Sequence, residues 1–161
     1  AVKIRVVWIG RRGAALYDEQ VETYRRRVTK RWPAEERVVR PVSGGRGNDP
    51  RRALREEARA LSGILEPGWT TVALDEGGRP CTSEEFAHRL ADLEDRSTPG
   101  LDFVIGSDLG LDRSVVADAD WTLSLSPMTF PHPLARLVLW EQLFRATHIL
   151  GGGRYHRGTL Q

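Results

Sequence analysis

The sequence predicts an α/β fold: a mostly parallel sheet with helices on both faces. Three observations predict it. Five short runs rich in β-branched and apolar residues recur along the chain, and segments with helical spacing lie between them. Proline or glycine punctuates most of the junctions. At 161 residues, with no internal repeat and no linker-like stretch, the chain suits one domain over 1–161.

Each element has its own signal. Val2–Ile9 reads VKIRVVWI and stops at Gly10, as a buried strand does. Ala14–Lys30 sets Leu16, Val21, Tyr24 and Val28 roughly on one helical face, and Pro33 ends it. Arg37–Val42 is the second strand. SGGRGNDP, residues 43–50, is a loop whose Asp49 can cap a helix with Pro50 at its first position. That helix runs to about Leu65, with Leu54, Ala58, Leu61 and Ile64 at helical spacing, until Pro67 and Gly68 break it. Trp69–Leu74 is the third strand, followed by the loop Asp75–Gly78. Thr82 and Glu85 form a capping box for a helix over Ser83–Leu93. Leu101–Ile105 is a strongly apolar fourth strand ending in Gly106, Ser107, Asp108, Leu109 and Gly110. A short helix near Arg113–Ala117, a fifth strand over Trp121–Leu125 and a long apolar helix over Leu134–Leu150 complete the pattern, before a tail that opens with glycines.

Composition narrows the function. No run reaches the roughly 18 apolar residues of a membrane span. The first residues read as a strand and not as a signal peptide. A single cysteine, Cys81, excludes an internal disulfide and a cysteine-based zinc site, so a reducing, cytoplasmic setting is expected. The net charge of +2 is unevenly spread. Residues 1–66 hold 16 Lys and Arg against 9 Asp and Glu, whereas the remainder holds 8 against 13. Arginine dominates the basic half, and its fork suits phosphate. Two readings stand for that half: a polyanion-binding face, or a solvated surface in an arginine-biased protein.

In open parallel sheets, ligands bind beyond the carboxyl ends of strands. Three loops are predicted there: 74–78, 106–110 and 125–132. The 106–110 loop lacks both the GxGxxG spacing and the GxxxxGK[ST] lysine, so no ordinary dinucleotide or nucleoside-triphosphate site is expected; a tight turn needing positive φ at a glycine is the plainer reading. The third loop is stranger. It holds three prolines, His132 and the large apolar Met128 and Phe130, where a plain connection takes a few polar residues. Such a loop is either buried or lines a pocket. His132 has no second ligand at metal spacing, so no metal is expected. Ser107 and Ser126 lack a GxSxG elbow. Arg136, Glu141, Gln142 and Arg145 lie within the apolar final helix. Buried charges need partners. A subunit interface would supply them, which predicts a homodimer; the alternative is a core helix whose arginines reach solvent.

Several of these motifs fall in one order: Ile105-Gly106 and Gly110-Leu111, then LSLSPMTFPH from Leu123 to His132, then Arg136, Glu141-Gln142, Arg145-Ala146, and Tyr155-His156-Arg157. Together they resemble the ribosomal large-subunit RNA methyltransferase H family, of the SPOUT class. The likeness spans the chain, is strongest from about residue 101 onward and is weak over 43–68. It implies a C-terminal trefoil knot, which no periodicity reveals. It implies S-adenosylmethionine as cofactor, a homodimer with the active site across its interface, and methylation of N3 of a pseudouridine in large-subunit (23S) rRNA of the assembled ribosome. Carried over by position, the cofactor-binding residues are Leu74, Gly106, Leu125, Ser126, Pro127, Met128, Thr129 and Phe130. The catalytic candidates are His156, Arg145 and Tyr155. His156 or Asp108 would serve as base, Tyr155 would stack on the target base, Arg154 and Arg157 would hold phosphate, and Arg145 would orient the base or the partner's tail. The family usually has two adjacent glycines where this chain has Gly106 and Ser107. A serine is strained there if the position needs positive φ. A non-catalytic RNA-binding module of the same fold, or a SPOUT enzyme for another RNA, are the alternatives.

Overall fold

The structure, a computed structural model, describes residues 2–11, 16–42 and 49–158. The parts of the predicted first helix at 14–15 and of the glycine loop at 43–48 lie outside the described residues. Among the described residues eleven elements follow in order: β1 Lys3–Ile9, α1 Asp18–Val28, β2 Ala34–Val39, α2 Pro50–Ser62, β3 Thr70–Pro80, α3 Ser83–Asp95, β4 Gly100–Ile105, α4 Arg113–Asp118, β5 Trp121–Ser124, α5 His132–Gly151 and α6 Tyr155–Gly158.

The five strands form one sheet in the order β2-β1-β4-β3-β5, and every pairing is parallel. Parallel strands need crossovers, and the helices supply them on both faces. On one face, Ile4, Val6, Trp8 and Phe103 pack with Val21 and Val28 of α1, Phe86 and Leu90 of α3, and Leu139, Trp140 and Leu143 of α5. On the other, Val7, Ile9, Val39, Ala73 and Val104 pack with Leu61 of α2 and with Val115 and Val116 of α4. All six residues of β4 are buried, as a central strand covered on both faces requires.

The predicted elements are present, with boundary differences that have local causes. β2 begins at Ala34 and not at Arg37, because Ala34–Glu36 already pair with Ile4–Val6. α2 stops at Ser62, where Gly63 caps it and the chain turns on through Ile64 and Leu65. The third strand does not end at Leu74. It resumes at Arg79 and Pro80 against β5, and the 75–78 stretch is a register shift within it. α5 starts at His132, with Pro133 in its first turn. α6 was not expected from the glycine-rich start of the tail. The Thr82–Glu85 capping box and the Asp49 cap form as predicted.

Candidate functional site

The carboxyl ends of β3, β4 and β5 open onto one cleft of about 560 Å³. Three segments line it: Leu74–Glu76, Ile105–Leu111, and Leu125–His132 without Pro127. Seven of the eight predicted cofactor-binding residues therefore meet at one cavity: Leu74, Gly106, Leu125, Ser126, Met128, Thr129 and Phe130. Pro127 is not among the lining residues.

The walls are held by local bonds. Gly110 N–H donates to the Ser107 carbonyl at 2.8 Å, closing a tight turn, and Gly110 has φ of 82°. Gly106 is needed for a different reason: a Cβ there would sit 2.4 Å from the Gly110 carbonyl oxygen. Ser107 is not among the non-glycine residues with positive φ, so the departure from a second glycine costs no backbone strain. Its hydroxyl donates to Glu57 Oε1 at 2.9 Å and accepts from Leu109 N–H at 3.3 Å. In the third segment, Ser126 Oγ accepts from Met128 N–H at 3.0 Å, and the Thr129 hydroxyl donates to Glu76. The Ser124 hydroxyl reaches the Glu76 and Ser126 carbonyls at 3.1 and 3.0 Å. These bonds explain the unusual loop. It is tied to β3 on one side and presents apolar surface to the cleft on the other, with Met128 74% exposed.

Charge in the cleft is mostly negative. Glu76, Asp75 and Asp108 line it, and Asp75 is paired with Arg113 at 2.9 Å. Asp108 Oδ1 lies 2.7 Å from His132 Nδ1, close enough to attract a protonated imidazole but off the line of an N–H hydrogen bond. His132, at the start of α5, thus faces the 106–110 turn, and its ring packs 5.9 Å from Trp8. No group of three or more His, Cys, Asp or Glu able to hold a metal occurs among the described residues. No helix there is long and apolar enough to cross a membrane.

The three catalytic candidates also come together, but elsewhere. Arg145 donates to Glu141 Oε1 at 2.6 and 3.0 Å, and its guanidinium lies 4.8 Å from the Tyr155 ring centroid. Arg145 Nη1 lies 3.0 Å from His156 Nδ1, and His156 Nε2 lies 2.6 Å from Glu84 Oε1. That contact with His156 holds the Glu84 carboxyl below its ordinary pKa. The Tyr155 hydroxyl donates to Glu141 Oε1 at 3.1 Å. Burial, then hydrogen bonding with Tyr24 and the nearby Glu141 carboxylate, push its pKa well above normal, so it stays a neutral phenol. None of the three lines the cleft of its own chain. Arg154 is exposed, and the Arg157 side chain lies outside the described residues.

The expectation that α5's charges take partners from a second subunit needs correction for Arg136 and Arg145. Arg136 is 4% exposed and donates to Glu36 of β2 at 2.7 Å and to Asp18 of α1 at 2.6 Å. Arg145 pairs with Glu141 one turn back on α5. The partners were inside the chain all along, placed by the packing of α5 on α1 and β2.

Sequence reasoning missed Glu57. It is 2% exposed, and it carries two donors, Ser107 Oγ–H and Val42 N–H at 3.0 Å. A signal existed: Ala53, Glu57 and Leu61 recur every four residues, so a carboxylate stands in the buried stripe of α2.

An all-parallel α/β layer with a partly apolar, acidic cleft at its carboxyl edge is the architecture of a small-ligand-binding enzyme domain. A family profile described as "Predicted SPOUT methyltransferase" matches residues 2–156. Curated relatives carry the name "Ribosomal RNA large subunit methyltransferase H". One from Nitratidesulfovibrio vulgaris (strain DP4) is 38% identical over 153 residues, covering 95% of this chain and 97% of the relative. One from Solidesulfovibrio magneticus is 39% identical over the same shares. One from Xanthomonas campestris pv. campestris (strain B100) is 35% identical over 156 residues, covering 97% and 99%. The chain belongs to the SPOUT methyltransferases and, among them, to the ribosomal RNA large subunit methyltransferase H family.

Proposed function

We propose that this protein methylates large-subunit (23S) rRNA with S-adenosylmethionine, at N3 of a pseudouridine in the assembled ribosome. It acts in the cytoplasm as one domain over 1–161, with the C-terminal segment threaded as a trefoil knot. The observation that carries the reading is the convergence of the 74–76, 105–111 and 125–132 segments on one cavity. The cavity fits the cofactor in three respects. Its volume lies within the range of about 300–1,000 Å³ usual for small-ligand pockets. Met128, Leu109 and Phe130 offer apolar surface to an adenosine. Glu76 and Asp108 offer negative charge to a sulfonium.

When bound, the cofactor supplies a methyl group already activated on a sulfonium, so positioning does most of the work. Gly106 and the 125–130 segment hold it, and the Ser126 and Thr129 bonds fix that segment in place. Tyr155, remaining protonated, positions and stacks on the target base. His156 takes the N3 proton at Nδ1, since Nε2 faces Glu84. Nδ1 must first leave its contact with Arg145 Nη1, because a guanidinium only donates. Arg145 otherwise holds Tyr155 and His156 together. These three sit outside their own chain's cleft, which suits a homodimer in which each tail serves its partner's cavity. The apolar character of α5 supports that arrangement: Leu137, Val138, Ile149 and Leu150 stay only partly covered within one chain. For rRNA, the structure sorts the arginines of the basic half. Arg5, Arg25 and Arg31 are engaged with Asp102, Glu22 and Glu94. Arg51, Arg55 and Arg59 are exposed at four-residue spacing on α2 and make no ion pair with a described residue.

The test is transfer of labelled methyl from the cofactor to ribosomes that lack the modification. Label in large-subunit rRNA, lost in the His156→Ala variant under single turnover with saturating cofactor, is the expected result. Label confined to transfer RNA would move the substrate, and no transfer to any RNA would remove the activity.

A further inference from the structure

We infer that Glu57 is a positioning residue for the cofactor: from outside the cleft it fixes the 106–110 turn through the Ser107 hydroxyl. This rests on the cofactor reading above and adds a residue to it. The chain of contacts is short. Glu57 stands on the buried face of α2 with both carboxylate oxygens used, Oε1 by Ser107 and Oε2 by Val42 N–H. Because Ser107 gives its only proton to Glu57, its lone pairs are left to accept from Leu109 N–H within the turn. Ser107 and Gly110 also pair as an isolated antiparallel bridge. The turn is therefore anchored at Ser107 to α2 and closed at Gly110. Gly106, Ser107, Asp108, Leu109 and Gly110 all line the cavity, whereas Glu57 does not.

The anchor is particular to a serine. A glycine at 107, the residue the resemblance leads one to expect, has no hydroxyl and would leave a buried carboxylate oxygen without its donor. Leaving a buried charged acceptor unsatisfied is costly, so the turn and α2 would both shift to relieve it. A shift of the turn changes the cofactor wall directly. It leaves Arg145, Tyr155 and His156, which bond on another face, where they are.

The experiment measures S-adenosylhomocysteine affinity by calorimetry, and KM for S-adenosylmethionine with kcat on ribosomes, for Ser107→Ala, Glu57→Gln and the double variant. Each single change should weaken affinity by about fivefold or more and raise KM, with kcat at saturating cofactor unchanged. The double variant should bind within about twofold of the weaker single, because both changes break one connection. Singles that bind as the unaltered protein does, or losses that multiply in the double, overturn the inference while the cofactor reading stands. Absence of binding by the unaltered protein removes that reading and this one together. If Glu57→Gln does not fold, Ser107→Ala decides alone, since it deletes one oxygen from a partly exposed turn.

Discussion

Arg136 is buried in the core with its charge intact. Burial disfavours the guanidinium, but the Glu36 and Asp18 carboxylates more than offset that and raise its pKa. Its face also lies 4.2 Å from the Trp8 ring centroid, and Trp140 Nε1–H donates to the same Glu36 at 3.0 Å. Arg136→Leu would leave two carboxylates unpaired, one of them largely buried. It should cost about 3–5 kcal/mol in denaturant unfolding, more than an exposed arginine such as Arg59. Gly106→Ala acts differently. The added methyl meets the Gly110 carbonyl, so the turn must move, and cofactor affinity should fall on the order of tenfold or more with little change in helix content. Glu22 gives a pH signature. The Arg25 hydrogen bond lowers its pKa to about 2 from the ordinary 4.5 of a glutamate. A depressed carboxylate stabilises above its unfolded pKa and loses that contribution as pH falls through the folded value. Glu22→Gln should therefore be slightly less stable at neutral pH, by less than about 1 kcal/mol for so exposed a pair, with the gap closing between about pH 4.5 and 2. At this scale the sequence was readable where chemistry is local. Gly106, Ser126 and Met128 stood out beside their strand ends. Arg136 and Glu57 drew less from it, because their partners lie 100 and 50 positions away and only the fold brings them close.

Elements were more legible than their ends. Thr82 and Glu85 announced the start of α3, and the box forms with both bonds at 3.1 Å. Thr82→Ala should cost about 1 kcal/mol of stability, measurable as a lowered denaturant midpoint with unchanged slope. Asp49 and Pro50 announced α2 equally well. What the sequence concealed were features set by neighbours. β3 reads as ending at Leu74, since Asp75–Gly78 is turn-like composition, yet pairing with Leu123 and Ser124 carries the strand on to Pro80. α6 is one turn long, and its stability comes from Tyr155 packing on Phe144 and His148 of α5 and not from propensity. α5 announced itself as apolar nearly all round, which fits a helix packed on α1, α3 and β4 with some apolar surface left only partly covered. In the proposed homodimer that remainder is the interface: Leu137→Glu should yield a monomer in analytical ultracentrifugation where the unaltered protein sediments as a dimer, with circular dichroism intact.

For the molecule as a whole, strand–helix alternation gave the fold class, and the tally of basic residues gave a charge asymmetry without a location. The fold supplies the location. Arg5, Arg25 and Arg31 are engaged in ion pairs within the chain, whereas the stripe on α2 faces solvent, on the helix whose Glu57 bonds the 106–110 turn. Replacing Arg51, Arg55 and Arg59 with glutamine should weaken association with ribosomes and reduce the slope of log affinity against log salt by about two to three, with cofactor affinity unaltered. Nothing in composition or periodicity encodes strand order or a knot, since both depend on how the chain threads past itself. The resemblance carried by several ordered motifs implied a knot but gave no strand order.

The proposed methylation and the roles of Gly106 and Glu57 depend on the cleft at the carboxyl edge of β3, β4 and β5 being the cofactor site. Calorimetric titration with S-adenosylmethionine, run beside S-adenosylhomocysteine, tests it most directly. The account predicts saturable binding of both, sharply weakened by Gly106→Ala. A folded protein that takes up neither at millimolar concentration, or binds both equally well with alanine at 106, would contradict it.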